Sequence, residues 1–346
     1  MRVKNALLAV STGTGEINIG DYIQALAASQ FFDNIDFFIE RENLHQYDGE
    51  YAKMIMNGWF MDCPENWPPS EKIMPKFIAF HINSLAKEKL LSDQSIKYLK
   101  KHEPIGCRDE NTMLMLKEKG IKAYFSGCLT LTLGEKYSTN DKEDMYYFVD
   151  PYFITRWNVK HFIRNFICLF YYWKDIKVIA TKYFGKQHTM KQRMVLTTFY
   201  LEYKKYFSRD LLLTSEYIHQ QSLDIRKQFP SNDSLLLYAE NLVEKYARAK
   251  LVITSRIHCA LPCLGLGTPV IYIENVQQLE SSACRMNGLV ELFNVVSWNK
   301  NHLELKFKQM GKIDKDNYPI NKFAHKDLIA KLIASCKDFA DKKMNF

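Results

Sequence analysis

The chain has 346 residues, 47% of them hydrophobic and 25% charged, which excludes disordered, collagen-like and repeat-array proteins and allows two domains of ordinary size. A formal net charge of +8 fits nucleic acid, an anionic membrane face or a phosphorylated small molecule, and does not choose among them. The longest unbroken apolar run, residues 166–173, is too short to span a bilayer, so the expectation is a soluble, cytoplasmic protein.

Residues 1–20 carry no signal-peptide pattern; the short apolar run within 5–10 belongs to a first core strand predicted over 3–10. The loop that follows, with Thr12, Gly13, Thr14 and Gly15, stands where phosphate-binding loops occur but fits neither the Walker pattern nor G-x-G-x-x-G. Ile19, Tyr22, Ile23, Leu26 and Gln30 have helical spacing. Before them, Asn18 and Asp21 read as a capping pair, or Asp21 as a cleft carboxylate that orients a hydroxyl. Further strands are predicted over 53–59, 76–82 and 123–133, with an extended entry at 104–108 and a helix at 113–120 ended by Gly120. Such alternation specifies a parallel, doubly wound sheet.

Three features of this half carry chemistry or its imitation. His81, near the end of the 76–82 strand, is a cleft residue or a structural one. Asp109 is a natural N-cap, with Asn111 and Thr112 in the first turn; capping leaves Arg108 unexplained, and the same geometry aims it at the cleft or at solvent. Ser126 and Gly127 let a ligand approach the backbone, or simply let elements pack closely.

A polar stretch at 135–143 separates a first Rossmann-like domain, 1–140, from a second, 141–310, with a helical tail at 311–346. The second half offers strands at 145–149, 211–214, 251–254 and 269–273, and a helix at 235–249. Residues 151–210 form a helical insert dense in aromatic and basic residues, two or three amphipathic helices long. It is a subdomain packed on the sheet, or a basic, aromatic face for an anionic membrane or a lipid-linked molecule. It contains no recognisable nucleic-acid motif, so no nucleic-acid partner is expected. Two such domains leave a cleft at the carboxyl ends of their strands.

The strongest local signal lies at 251–273. A buried strand ends at Thr254, a short helix begins near Ile257, and Gly265 and Gly267 end it. Ser255, Arg256 and His258 thus fall in a strand-to-helix turn where free N–H groups and the helix dipole favour an anion. Arg256 adds a bidentate fork for carboxylate or phosphate. An anion nearby favours protonated His258, which suits a general acid; a structural arginine and a core histidine are the alternative. The eight cysteines lack zinc-type pairs and read as buried free thiols, and the nine histidines form no metal pattern. No metal and no redox cofactor are expected.

In order along the chain, Asn18-x-Gly20-Asp21, the G-x-R-D-x-x-T run from Gly106 to Thr112, Ser126-Gly127-Cys128, Arg256-x-His258 and P-x-x-G-x-G-x-P-V-I from Pro262 to Ile271 resemble the polysaccharide pyruvyl transferase family. The likeness covers residues 5–30, 76–135 and 235–290 and leaves the insert outside it. It implies an α/β fold of two Rossmann-like domains whose parallel sheets face a cleft, as in glycosyltransferases of the GT-B type. The implied activity moves pyruvate from phosphoenolpyruvate onto a hexose of a bacterial capsule or exopolysaccharide, or of its lipid-linked precursor, with ketal formation and phosphate release. Arg256, Arg108 and Ser255 would then bind the donor and His258 act as acid. Asn18, Gly20, Asp21, Ser126, Gly127 and His81 are left for the acceptor or the cleft wall. Partners implied are phosphoenolpyruvate, a sugar acceptor and, through 151–210, peripheral contact with the cytoplasmic membrane face. A nucleotide-sugar-dependent glycosyltransferase of the same architecture, using an acid near Glu274 or Glu291, is the alternative. A non-catalytic glycan-binding scaffold is a third reading.

Overall fold

Alternating buried strands and amphipathic helices build two six-stranded sheets in the computed structural model, which describes residues 3–10, 16–60, 62–154, 158–276, 284–299 and 302–342. The first half runs β1 (Lys4–Ala9), β2 (Ile17–Asn18), α1 (Ile19–Ser29), β3 (Phe37–Glu40), β4 (Ala52–Phe60), β5 (Ile73–Ile82), α2 (Lys87–Leu90), α3 (Asp93–Lys101), β6 (Ile105–Cys107), α4 (Glu110–Glu118) and β7 (Ala123–Phe125). Its sheet has the order β3-β1-β4-β5-β6-β7 and is parallel throughout. Eight of the nine residues of β4 are buried, as expected of a central strand covered on both faces.

The second half follows with α5 (Gly134–Tyr137), β8 (Tyr146–Val149), α6 (Val159–Tyr171), α7 (Trp173–Phe184), α8 (Met190–Tyr203), α9 (Arg209–Thr214), β9 (Glu216–Ile218), β10 (Gln221–Ser222), α10 (Leu223–Gln228) and α11 (Asn232–Arg248). It ends with β11 (Leu251–Thr254), α12 (Ile257–Gly265), β12 (Val270–Asn275), β13 (Asn294–Asn299), β14 (His302–Leu305) and α13 (Lys326–Asp341). The second sheet, β14-β13-β12-β11-β8-β9, is parallel except at β13–β14. This is the two-domain, Rossmann-like, GT-B-like arrangement that the sequence resemblance implies.

Two expected strands are corrected. The 123–133 strand stops at Phe125, because Gly127 turns the chain at φ +71° and Leu129–Leu133 coil into a 3-10 helix. Residues 211–214 are helical: the Ser208 hydroxyl accepts from Leu211 N (3.1 Å) and starts α9, and the strand comes just after, at Glu216–Ile218. The insert supplies three helices, α6, α7 and α8, within the expected range.

The two halves share one core. Leu7, Ile23 and Leu26 from the first pack in the same buried cluster as Leu242, Cys259 and Leu264 from the second. Each such side chain contributes about 1.5–3 kcal/mol on burial. β2 pairs antiparallel with β10, joining Asn18 to Gln221 and Ile17 to Ser222. The tail helix α13 returns to the first sheet, where Lys53 Nζ donates to the carbonyls of Ala340 and Lys342 (2.8 Å each). Cys107, Cys128, Cys259, Cys263 and Cys336 are buried free thiols. Among the described residues no helix is long and apolar enough to cross a membrane.

Candidate active site

Where the carboxyl ends of the two sheets meet lies a cavity of about 660 Å³. Its walls come from residues at or just past strand ends: Val10 after β1, Trp59 in β4, His81 in β5, Arg108 after β6, Asp150 after β8, and Ser255 and Arg256 after β11. Ligands of open α/β sheets bind at this edge. Asn18, Asp21, Ser255, Arg256, His258, Arg108 and His81 all line it, as do Arg41, Asp62, Asp150 and Arg285, which sequence reading passed over.

The second-domain wall is fixed by a chain of hydrogen bonds. Thr254 Oγ1 donates to Val149 O (3.0 Å) and accepts from Arg256 N (2.9 Å), setting the turn. Ser255 Oγ donates to Asp150 O (2.6 Å), and so pins a residue held at φ +40°. The Asp150 carboxylate accepts from Arg256 Nε (2.8 Å) and Gln220 N (3.0 Å) and pairs with His219 Nδ1 (3.1 Å). Burial works against its charge, but the bond to His219 and nearby Arg256 hold its pKa below the usual carboxylate value. Arg256 Nη1 donates to Gln221 Oε1 (2.8 Å), so this guanidinium is oriented on two edges and partly neutralised.

His258 sits at a kink inside α12 (φ −84°, ψ 16°). Its ring lies against Gly20: a Cβ there would come within 3.0 Å of His258 Cβ and 3.1 Å of Nδ1. Gly20 therefore lets α1 approach the imidazole closely. Asn18 caps α1 through Gly20 N (3.1 Å), but Asp21 is no capping partner. Instead the Asp21 carboxylate lines the cavity and accepts from Gln24 Nε2 (3.2 Å). Burial raises its pKa, opposed by Arg41 and Arg108.

On the first-domain wall Arg108 is only 2% exposed, and among the described residues no carboxylate pairs with it. Arg285, from the 3-10 turn Cys284–Met286, faces the same space. Arg41 differs: it pairs with Glu42 (2.6 Å) and Asp62 (3.6 Å) and lies over the Trp59 ring. Asp109 caps α4 through Thr112 N (2.8 Å), as its position foretells, and its other oxygen takes His81 Nδ1 at 2.6 Å. A bend aims His81: Ala79 has φ +53°, opposite a register irregularity between Met56 and Gly58. Ser126 Oγ accepts from Ala79 N (3.1 Å) and donates to Cys107 O (3.0 Å), fastening that bend. Ser126 and Gly127 do not line the cavity, because one is spent on the bend and the other packs against Leu328. Their expected place in the cleft is corrected to this supporting one.

Electrostatics alter the reading of both histidines. Burial first, then Arg108, pushes the His81 pKa down to about 4, against the bond to Asp109. Neutral His81 thus donates Nδ1–H to the Asp109 carboxylate and leaves Nε2 as a lone pair. The His258 pKa falls well below its ordinary value through burial, then Arg108, Arg285 and His81. With its pKa lowered by burial and the two arginines, His258 is no ready acid; a nearby anion would offset the arginines and favour its protonated form.

Four buried atoms around this space have no hydrogen-bond partner among the described residues: Arg108 Nε, Arg285 Nε, His81 Nε2 and His258 Nε2. Buried polar groups are ordinarily paired; the two arginine N–H groups suit an anion's oxygens, whereas the His81 Nε2 lone pair suits a donor such as a hydroxyl. Glu274 and Glu291 do not line the cavity; Glu274 accepts from Ser297 Oγ (3.0 Å). The glycine-bearing loop at 12–15 falls outside the described residues. Arg285, Asp150 and Arg41 escaped sequence reading because each comes from an unremarkable segment; the one usable signal was Asp150 closing a buried strand.

A family model described as polysaccharide pyruvyl transferase matches residues 18–275. That span holds Asn18, Asp21, His81, Arg108, Asp150, Arg256 and His258, and the helical insert between the domains' strands. The search of curated proteins returns no match.

Proposed function

The chain belongs to the polysaccharide pyruvyl transferase family, and from that premise we propose that it moves pyruvate from phosphoenolpyruvate onto a hexose of a bacterial surface polysaccharide or its lipid-linked precursor. The product is a ketal and phosphate is released. What carries the donor assignment is the pair of guanidinium groups, buried Arg108 and half-buried Arg285, whose buried Nε atoms have no partner among the described residues, beside neutral His258. Phosphoenolpyruvate brings a carboxylate and a phosphate, the two anions that such a pair can hold bidentately. Arg256, oriented by Asp150 and Gln221, completes the donor pocket, and Ser255 holds the turn.

The donor's negative charge raises the His258 pKa and lets it bind a proton. His258 delivers that proton to the methylene carbon, and the carbon bearing the phosphate becomes cation-like. A sugar hydroxyl attacks it while His81 Nε2 takes the hydroxyl proton, with Asp109 stabilising the imidazolium. Phosphate then leaves and carries the proton of the second hydroxyl, whose oxygen closes the ketal. His81 then releases the proton it took and His258 takes one up, so over a cycle the net transfer is one hydroxyl proton to the new methyl group and one to phosphate, and no redox cofactor is consumed. Asp21, raised in pKa and facing the same cavity, orients the acceptor hydroxyls.

Thermal unfolding tests the donor. Phosphoenolpyruvate is expected to raise the melting temperature, and nucleotide sugars are expected to leave it unchanged. Stabilisation by a nucleotide sugar alone would transfer the site to glycosyl transfer.

A further inference from the structure

Residues 158–193 hold eight lysines and arginines against one carboxylate, Asp175, and that carboxylate is taken by Arg209. Within this stretch α6 touches the body along one line only: Asn165, bonded to Thr198 Oγ1 (2.9 Å), and Leu169 in the core beneath the second sheet. The remaining apolar residues of α6 look outward. Val159, Phe162, Ile163, Phe166, Ile167 and Phe170 are all exposed, Phe162 to 50% and Ile167 to 62%. At helical spacing they share an arc of roughly 140° beside the buried line. Phe162, Phe166, Phe170 and Trp173 form a ladder with ring centroids 5.0–6.4 Å apart. Soluble surfaces rarely show an apolar strip this continuous unless something covers it.

We infer that α6 and the start of α7 dock on the anionic face of a lipid bilayer, lying in the interface plane with the α6 strip among the acyl chains. Charge selects this occupant over a second copy of the chain. Lys160, Arg164, Lys174, Lys177 and Lys186 are exposed and have no ion-pair partner among the described residues. Two such basic surfaces repel each other, whereas anionic headgroups attract them. Tyr171, 79% exposed, and the neighbouring Trp173 stand at the end of the strip, as aromatic residues do at a membrane–water boundary. The surface also leads to the cavity. α7 ends near Tyr183, which lines it and packs against Phe153 on the same wall. A docked molecule therefore holds its site close to the membrane, where a lipid-linked acceptor would be found. The docking itself does not depend on the proposed reaction.

Co-sedimentation with vesicles tests the inference without substrate. The full chain is expected to bind vesicles of equal parts phosphatidylcholine and phosphatidylglycerol, and to bind pure phosphatidylcholine far more weakly. A double substitution of the strip, F166S/I167S, and a charge reversal, K160E/R164E, should each weaken binding by roughly tenfold or more. Both variants alter exposed side chains, so unchanged thermal unfolding and unchanged stabilisation by phosphoenolpyruvate are expected. Absence of vesicle binding, equal binding to both compositions, or binding unaltered by the substitutions would overturn the inference. So would sedimentation equilibrium showing that F166S/I167S splits a dimer in lipid-free solution.

Discussion

Burying a guanidinium without a contacting carboxylate costs a protein several kcal/mol, and among the described residues Arg108 is kept in that condition by β6 and the turn into α4, with Asp109 and Asp21 acting on it without an ion pair. The cost makes sense if a ligand supplies the missing charge. Replacing Arg108 by Met should therefore leave the empty protein as stable or raise its stability, by up to about 4 kcal/mol, while abolishing stabilisation by phosphoenolpyruvate. Thermal unfolding with and without the donor measures both effects; a large loss of stability in the empty variant would make Arg108 a structural residue. The histidines give a second handle. The His81 pKa falls from 6.5 to about 4 in the folded chain, and burial with Arg108 also pushes that of His258 well below its ordinary value. Between these values the unfolded chain binds more protons than the folded one, so this contribution to stability is present above pH 6.5 and is lost as pH falls toward 4. Donor binding should reverse the His258 shift, and calorimetry in buffers of different ionisation heat should record proton uptake near neutral pH. Uptake that persists in His258→Gln would assign the proton to another group.

Elements rather than single residues set the distance between the two walls. α12 meets the first domain through backbone: a Cβ on Gly265 would collide with Leu131 O, and one on Gly134 would collide with Gly265 O. Gly265→Ala should destabilise the fold by about 3 kcal/mol, because backbone cannot yield as a side chain does, and the urea midpoint would show it. An unaltered midpoint would mean that α12 can slide. This glycine was legible in the sequence as a helix end; its packing role was not, since Leu131 lies more than a hundred residues away. The same limit explains the misread strands. An apolar run as short as 211–214 suits a buried strand and a buried helix equally, and the Ser208 cap decided the matter. The Arg256–His258 turn was legible because strand, small residues and closing glycines are contiguous. The sequence alone does not distinguish a cleft from a structural role for His81, because its meaning depends on Asp109, which folding brings to 2.6 Å.

At the scale of the whole molecule, the site exists only because two sheets present their carboxyl edges to one cavity. Neither domain holds the charge constellation alone: Arg108 and His81 come from the first, Arg256, His258 and Arg285 from the second. β2–β10 pairing and the shared core keep the halves together, and the family model spans both. The central claim is that this joint cavity takes phosphoenolpyruvate and delivers its pyruvate to paired sugar hydroxyls. It is tested most directly by measuring phosphate released from phosphoenolpyruvate with a panel of hexoside acceptors. Acceptor-dependent release is expected, with a pyruvate ketal in the product, and a fall of roughly 10²–10⁴-fold in His258→Gln and His81→Gln. Absence of release with every acceptor from folded protein that turns over a nucleotide sugar would contradict the account.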